Sequence, residues 1–480
     1  MGAAADPRYQ ALRARDRRFD GRFFVGVTST GVYCRPVCAS RTPKQENCRF
    51  FTSAAAAEAA GYRPCLRCRP ELAPGNAGID AGARLARAAA GSIENGGLDD
   101  GPVGELAARL GVTDRHLRRV FQAEYGVSPV QYAQTQRLLL AKRLLTDTSL
   151  PVIDVAMASG FRSLRRCNAL FQARYRLSPT ALRKGAGSCA SSDGLTFQLW
   201  YRPPFDWNAL TAFLGVRSVA GIEAVEHGSY RRTVHVTRQE KQLRGWIVVR
   251  QAAGRAAVAV TVDAALLPVL PQVLAGVRRL FDLSCHPTEV AKVLGGLGRR
   301  HPGLRVPGAF DGFELAVRAV LGQQITVAAA RTLAGRFVRA FGDPVATPFP
   351  GLDLAFPTPE TIERIEVPAV VRLGIVAPRA AAIVALARAV VSGTVSLDPG
   401  ADIDASLAAL RLLPGIGDWT AQYIAMRALT WPDAFPHTDL GVRKALRASS
   451  PAAALRAAER WRPWRAYAVM HLWRSLEKTP

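Results

Sequence analysis

No window of this chain reaches the roughly 18 uninterrupted apolar residues that a membrane-spanning helix requires, although hydrophobic residues fill 49% of its 480 positions. A membrane partner is therefore not expected. The opening "MGAAADPRYQALRARDRRFDG" lacks the apolar run and small-residue cleavage site of a secretion signal, so the expected compartment is the cytoplasm. Acids are scarce, 38 against 63 Lys and Arg, which leaves a formal charge of +25 spread along the chain. That excess suits a polyanion, because each phosphate neutralised releases condensed counterions. An Arg- and Ala-rich composition would produce part of it without any such partner. Cysteine is sparse too, with 8 residues and none after Cys285. Four of them form two close pairs near the start, which in a cytoplasmic chain points to metal binding rather than disulfides.

At about 150 residues per domain, the length predicts three or more domains. Two linker-like stretches, "RPELAPGNAGIDAG" at 69–82 and "RKGAGSCASSDG" at 183–194, divide the chain into three parts. The middle part repeats itself imperfectly: "FQAEYGVSP" at 121–129 returns as "FQARYRLSP" at 171–179. Upstream of each copy lies a helix, a Gly-containing turn and a second helix. Leu106, Ala107, Leu110, Val112, Leu117 and Phe121 follow the three-to-four spacing of a buried helical face, and Thr113 and Ser163 stand where N-caps are expected. This is a helix-turn-helix layout, whose second helix enters a major groove. Arg115, His116, Arg118 and Arg119, then Arg165, Arg166 and Asn168, are its expected DNA-facing residues. Over about 83–183 the segment resembles the AraC-type DNA-binding domain, which implies paired units reading successive grooves.

The thiol pairs are "GVYCRPVCASR", with Cys34 and Cys38, and "GYRPCLRCRP", with Cys65 and Cys68. Two such pairs across a loop can close a tetrahedral zinc site; on spacing alone, this could be a ribbon that only braces the fold. The surrounding "FVGVTSTGVYCRPVCASRTPKQENCRFF" and "AGYRPCLRCRP" resemble the N-terminal domain of the Ada adaptive-response regulators through residues 15–72. The resemblance implies one zinc ion on the four cysteines and methyl transfer from a DNA phosphotriester to Cys34. Cys48, Cys167, Cys189 and Cys285 are expected to be buried apolar residues. The guanine-demethylating domain of that family, with its Pro-Cys-His-Arg motif, is absent, and "SCHPTE" at 284–289 does not match it.

"LLPGIGDWTAQYIAM" at 412–426 places Pro-Gly-Ile-Gly between two helical patterns. Gly415 and Gly417 let backbone N–H groups approach a phosphate, the helix-hairpin-helix grip on DNA. Such a hairpin is also found as a mere clamp. A short loop later comes Asp439, at the start of "LGVRKAL"; aspartate there is commonly just a helix cap. The two together resemble the helix-hairpin-helix DNA glycosylases. Over 195 to about 475, "RPPFDWNALTAFL", "RLFDLSCHP", "GAFDGFELAVRAVLGQQITVAAA" and "ERWRPWRAYAVMHLW" narrow the resemblance to AlkA-type 3-methyladenine DNA glycosylase II. It implies that Asp439 is the essential acid and that Phe213, Trp419, Tyr423 and Trp473 surround an extruded base, with Trp207 in the core. Gln324 stands where such enzymes commonly carry a leucine wedge. Trp419 occupies the position of the lysine in relatives that also cut the strand, so a monofunctional enzyme is expected. With no Cys after Cys285, an iron–sulfur cluster behind the hairpin is excluded.

The expected fold class is multidomain α+β. It comprises a small zinc-bound α/β domain (1–75), an all-α paired helix-turn-helix domain (83–183), a glycosylase N-terminal antiparallel-sheet subdomain (195–300) and a helical helix-hairpin-helix core (301–480). The expected activities are excision of alkylated bases and suicidal methyl transfer to Cys34. The expected partners are double-stranded DNA, damaged and promoter, with RNA polymerase as a further one. Two other readings stay open: a regulator whose glycosylase part only binds damage, and a repair enzyme whose N-terminal parts only anchor it.

Overall fold

The computed structural model describes residues 6–74, 81–99, 101–184, 195–238, 241–398 and 400–476. The chain divides into two compact units. One is Met1–Pro203 with Ala252–Ala275 and Leu283–His286; the other is Pro204–Gln251 with Gly276–Asp282 and Pro287–Pro480. Among the described residues no helix is long and apolar enough to cross a membrane.

The first unit begins with a four-stranded sheet: β1 (Phe24–Val27), β2 (Val32–Cys34), β3 (Cys48–Phe51) and β4 (Arg63–Pro64), in the order β3-β1-β2-β4. Only β2 and β4 run parallel, in the register Tyr33↔Pro64, so each strand delivers a cysteine, Cys34 and Cys65, to the same end. Ser53 caps α1 (Ala54–Ala59), whose Ala54 and Ala57 pack on Phe24 and Tyr33.

Helix α2 (Ala81–Glu94) precedes the two repeats. The first is α3 (Val103–Arg109) and α4 (Asp114–Tyr125), joined across Gly111, and α5 (Pro129–Asp147) links it onward. The second is α6 (Val152–Ala158) and α7 (Leu164–Tyr175), joined across Gly160. Thr113 and Ser163 cap the second helices as expected, accepting from the amides of His116 and Arg166. Leu106, Ala107, Leu117 and Phe121 are buried. Leu110 and Val112 pack against the same core, which also takes Ala55 from α1. The repeats differ at their C-caps. Gly126 ends α4 at φ 72°, while Arg176 ends α7 at φ 54°, a left-handed conformation that favours glycine. A strand pair, Leu195–Trp200 with Ala257–Val262, completes the described sheet structure of this unit.

Residues 69–74, expected as linker, are ordered instead. Pro70–Leu72 form a single turn, and Glu71 lies buried with Lys142 of α5 at 2.6 Å. Composition alone marks the segment as loop; a buried ion pair fixes it. Residues 75–80, and 185–194 including Cys189, lie outside the described residues.

The second unit opens with α8 (Trp207–Val216) and the antiparallel meander β5 (Glu223–Glu226), β6 (Ser229–Arg238) and β7 (Lys241–Gln251). A helical core follows. Its site-bearing members are α9 (Gly312–Leu321), α10 (Val327–Phe341), α11 (Ala377–Val391), α12 (Ile403–Leu412), α13 (Asp418–Arg427), α14 (Leu440–Leu446) and α15 (Arg465–Arg474). Trp207 is 5% exposed and stacks on Phe281 at 5.2 Å, in the core as expected.

Candidate metal centre and candidate active site

The sulfurs of Cys34, Cys38, Cys65 and Cys68 all lie within 4.8 Å of one another. Tetrahedral bonds of about 2.3 Å to one ion need sulfurs about 3.8 Å apart, so the set fits a single zinc. The fourfold thiol set also favours zinc over the hard cations, which take oxygen. Cys38 and Cys65 are buried, whereas Cys34 and Cys68 are partly exposed. The Arg35 amide donates to Cys68 Sγ at 3.3 Å, which draws charge from that sulfur and leaves Cys34 the more electron-rich of the accessible pair. Arg35 itself is 2% exposed; its Nε donates to Asp20 Oδ1 at 2.8 Å and its Nη1 to the Cys68 carbonyl at 3.1 Å.

Two of the other cysteines behave as expected: Cys167 and Cys285 are each 1% exposed. Cys48 does not. It sits half-exposed on the edge strand β3, its Sγ 3.3 Å from the Lys44 carbonyl, although one side packs on the core of Leu12 and Val25. An edge strand covers a side chain from one flank only.

The sheet is tied to the repeats by a residue that sequence reasoning missed. Glu58 of α1, 3% exposed, accepts from Tyr33 Oη at 3.0 Å, Thr135 Oγ1 of α5 at 3.0 Å and Tyr175 Oη of α7 at 3.3 Å. Nothing local in "AAAAEAAGY" signals a buried acid. Burial pushes its carboxyl up to about 7, against the opposing pull of Tyr33 and the other hydroxyls. A raised acid favours the folded state while protonated, so its contribution is full below about 4.5 and is lost as pH rises through about 7. We expect the full chain to lose on the order of 3 kcal/mol relative to its Glu58→Gln variant across that window. Parallel melting curves of the two proteins from pH 5 to pH 8 would refute this by keeping a constant gap.

The expected groove-facing residues lie outward: Arg115, Arg118, Arg119, Arg165, Arg166 and Asn168 are exposed and His116 is half-exposed. Arg118 pairs with Asp114 at 2.6 Å, and Arg119 Nη2 lies 3.1 Å from His116 Nδ1.

In the second unit the hairpin lies between α12 and α13. Gly415 has φ 78°, and a Cβ there would meet Ala382 at 3.0 Å, so glycine is required twice over. Gly417 differs. Its φ is an ordinary −84°, nothing lies within 4 Å of a Cβ built on it, and it caps α13 with no side-chain bond. The first amides of that helix therefore face outward, where an anion can take them. Gln323, unnoticed in the sequence, clamps the hairpin through Nε2 to the Gly415 carbonyl at 2.8 Å and Thr420 Oγ1 at 2.9 Å. Arg379 in turn donates to the Gln323 carbonyl. Gln324 follows, exposed and at φ 55°, a strained left-handed residue at the tip of the α9–α10 turn.

Asp439 caps α14, its Oδ1 accepting from the Val442 amide at 2.8 Å. It does more than cap. Oδ1 also accepts from Trp473 Nε1 at 3.0 Å, and Oδ2 accepts from Trp419 Nε1 at 2.8 Å. Both oxygens are thus aimed by indoles from two other helices, and no Lys, Arg or His pairs with the carboxylate among the described residues. Gly441 allows this approach, since a Cβ there would lie 3.1 Å from Asp439 Oδ1 and 3.3 Å from Trp473 Cδ1. The Trp419 ring stacks on Tyr423 at 5.2 Å and 13°, and Trp473 lies 6.3 Å from Tyr423. Arg427 sits over both Tyr423 and Phe213, at 5.5 and 5.2 Å from the ring centres, so all four expected aromatics fall at one place. Two of them, Trp419 and Trp473, also position the acid, which the sequence reading did not foresee.

Fold and sites together define a class: a tetrathiolate metal centre and paired helix-turn-helix units on one polypeptide with a helix-hairpin-helix glycosylase core. Residues 7–71 match the metal-binding domain of Ada, 106–185 a helix-turn-helix domain, 196–311 the AlkA N-terminal domain, and 317–460 the HhH-GPD superfamily of base excision DNA repair proteins. Over 98% of its length the chain is 38% identical to the probable bifunctional transcriptional activator/DNA repair enzyme AlkA of Mycobacterium tuberculosis, covering 96% of that protein. It belongs to this family of bifunctional AlkA proteins. Its similarity to DNA-3-methyladenine glycosylase 2 of Escherichia coli is 37% identity over 58% of this chain and 96% of that one. The 3-methyladenine DNA-glycosylase of Archaeoglobus fulgidus shares the fold over 59% of this chain and 100% of its own, with a TM-score of 0.50 at 22% identity.

Proposed function

We propose that the protein answers DNA alkylation in the cytoplasm in three ways: it excises alkylated bases at Asp439, accepts a methyl group from DNA phosphotriesters on Cys34, and activates transcription through its helix-turn-helix pair. The observation that carries the reading is the carboxylate of Asp439, held by two indoles at the edge of an aromatic cluster beside a phosphate-gripping hairpin.

Excision requires the damaged nucleotide to leave the stack, at a cost of a few kcal/mol, least where damage has weakened pairing. Gly417 and the free amides of α13 hold the backbone while Gln324 stands ready to enter the vacated space. The C1′–N bond breaks with its electron pair leaving on the base, and positive charge develops on the sugar. Asp439 faces that charge and takes up the proton of the attacking water. Because Trp419 occupies the position of the strand-cutting lysine, no Schiff base forms and an abasic site remains.

At the other site the Cys34 sulfur attacks the methyl carbon. An S–C bond forms, the C–O bond breaks, and the electron pair stays on the phosphate oxygen. Cys34, Cys38, Cys65 and Cys68 would hold the zinc, which would keep their sulfurs ionised at neutral pH. A thioether has no simple return, so each molecule acts once. The helix-turn-helix residues then hold promoter DNA, with RNA polymerase as the partner there.

The deciding assay is incubation of the intact protein with duplex DNA carrying a methylated purine. Free base should appear, and the strand should break only after alkali. A protein that binds this DNA yet releases no base would be the damage-binding regulator instead.

A further inference from the structure

Arg427 is 6% exposed, an unusual depth for a guanidinium, and its donors are committed. Nε donates to the Pro307 carbonyl at 2.7 Å, Nη2 to the Gly308 carbonyl at 3.2 Å and Nη1 to Tyr423 Oη at 2.6 Å. Its charge lies over the rings of Tyr423 and Phe213. Arg217 adds a second cation 3.6 Å from the centre of Phe213. Burial alone would push the Tyr423 phenol up, yet Arg427, then Arg217, outweigh it and hold the phenol below its ordinary value of 10. The aromatic cluster therefore sits in a positive field.

That field conflicts with the simplest account of base selection, in which a cationic purine is drawn to bare aromatic faces. Here guanidinium groups already lie over two of the rings. The polarity has a direction, however. From Arg427 one passes to Tyr423 at 2.6 Å, across the stack to Trp419 at 5.2 Å, and from Trp419 Nε1 to the Asp439 carboxylate at 2.8 Å. A cation stands at one end of a two-ring stack and an anion at the other.

We infer that Arg427 is a positioning residue for glycosyl cleavage, pairing with Asp439 to lay a field along the C1′–N bond that drives positive charge from base to sugar. The inference rests on the glycosylase reading above. When a cationic base leaves, it becomes neutral; when a neutral base leaves, it departs with a negative charge to be stabilised. In both cases one unit of positive charge moves towards Asp439 and away from Arg427. The arginine thus destabilises a bound cationic base relative to the transition state and stabilises the departing pair of electrons on a neutral one, so both classes are accelerated. The expected size is about twofold to fivefold, for a charge displaced by a bond length or two at roughly 6 Å from the guanidinium and an effective dielectric near 20.

The test is single-turnover excision of 7-methylguanine, a cationic base, and hypoxanthine, a neutral one, by wild type, Arg427→Gln and Arg427→Lys. Affinity for DNA with a stable abasic-site analogue is measured alongside. The inference predicts that Gln slows both bases about twofold to fivefold at unchanged affinity and that Lys recovers part of the rate. It is overturned if 7-methylguanine is excised as fast as, or faster than, by wild type, as the bare-ring account requires, or if weakened DNA binding explains the loss. Should the Arg427 variants not fold, Arg217→Gln, which leaves the Pro307 and Gly308 carbonyl contacts intact, must show the same slowing of both bases to a smaller degree. A wild type that releases neither base would refute the glycosylase reading itself, which is a separate result.

Discussion

Asp439→Asn is expected to lower single-turnover base release by about a thousandfold while the protein still folds and binds damaged DNA. The magnitude follows from charge: a carboxylate about 4 Å from a developing sugar cation contributes about 4 kcal/mol at an effective dielectric near 20, and the amide contributes little of it. Asparagine is as good an N-cap as aspartate, so Val442 keeps its acceptor. The amide can accept from only one indole, however. Trp473 shares Oδ1 with Val442 and keeps its acceptor, so Trp419 then faces the NH₂ group, a local loss of about 1 to 3 kcal/mol that leaves the surrounding core intact. Parallel measurement of binding to abasic-analogue DNA separates chemistry from grip. A rate within tenfold of wild type would remove Asp439 from the mechanism.

The second large effect belongs to Cys34→Ala, which should reduce methyl uptake from phosphotriester DNA to zero and at the same time raise affinity for promoter DNA. Four thiolates on a dication carry a formal charge of minus two; three carry minus one, the same as after methylation. One unit of charge about 8 Å from a phosphate is equivalent to roughly 2 kcal/mol, more than tenfold in affinity. The alanine variant therefore imitates the modified protein without being modified. Cys38→Ala offers the contrast: the residue is 7% exposed, and loss of its sulfur should release the metal and loosen the sheet, weakening DNA binding instead. Labelled-methyl transfer and promoter titration on both variants decide the matter. Equal promoter affinities for wild type and Cys34→Ala would end the electrostatic account.

The parts of this design that were legible in sequence are those in which local spacing carries the physics. Cys34, Cys38, Cys65 and Cys68 declared a tetrahedral site because a metal demands that donor set, and the repeated caps Thr113 and Ser163 declared paired helices because orphan amides demand an acceptor. Asp439 was legible through its distance from the hairpin. What stayed hidden depends on packing between distant segments. That Trp419 and Trp473 turn their N–H groups onto Asp439, from 20 and 34 residues away, is decided by ring orientation, which no pattern encodes. The same holds for Glu58, whose partners come from a strand and two helices, for Gln323 beneath the hairpin, and for Arg427 behind the rings. The linker reading failed at Glu71 for the same reason, since its partner Lys142 is 71 residues on.

The 19-residue helix α5 has one more implication. Spanning about 28 Å, it joins the two repeats as a strut rather than a tether, and Lys142 and Thr135 pin it laterally through Glu71 and Glu58. A rigid spacer a little shorter than one turn of B-form duplex, about 34 Å, fixes the phase of whatever it reads. The operator must then present its two contact steps on a single side of the double helix, and shifting one by half a turn would leave one repeat facing solvent.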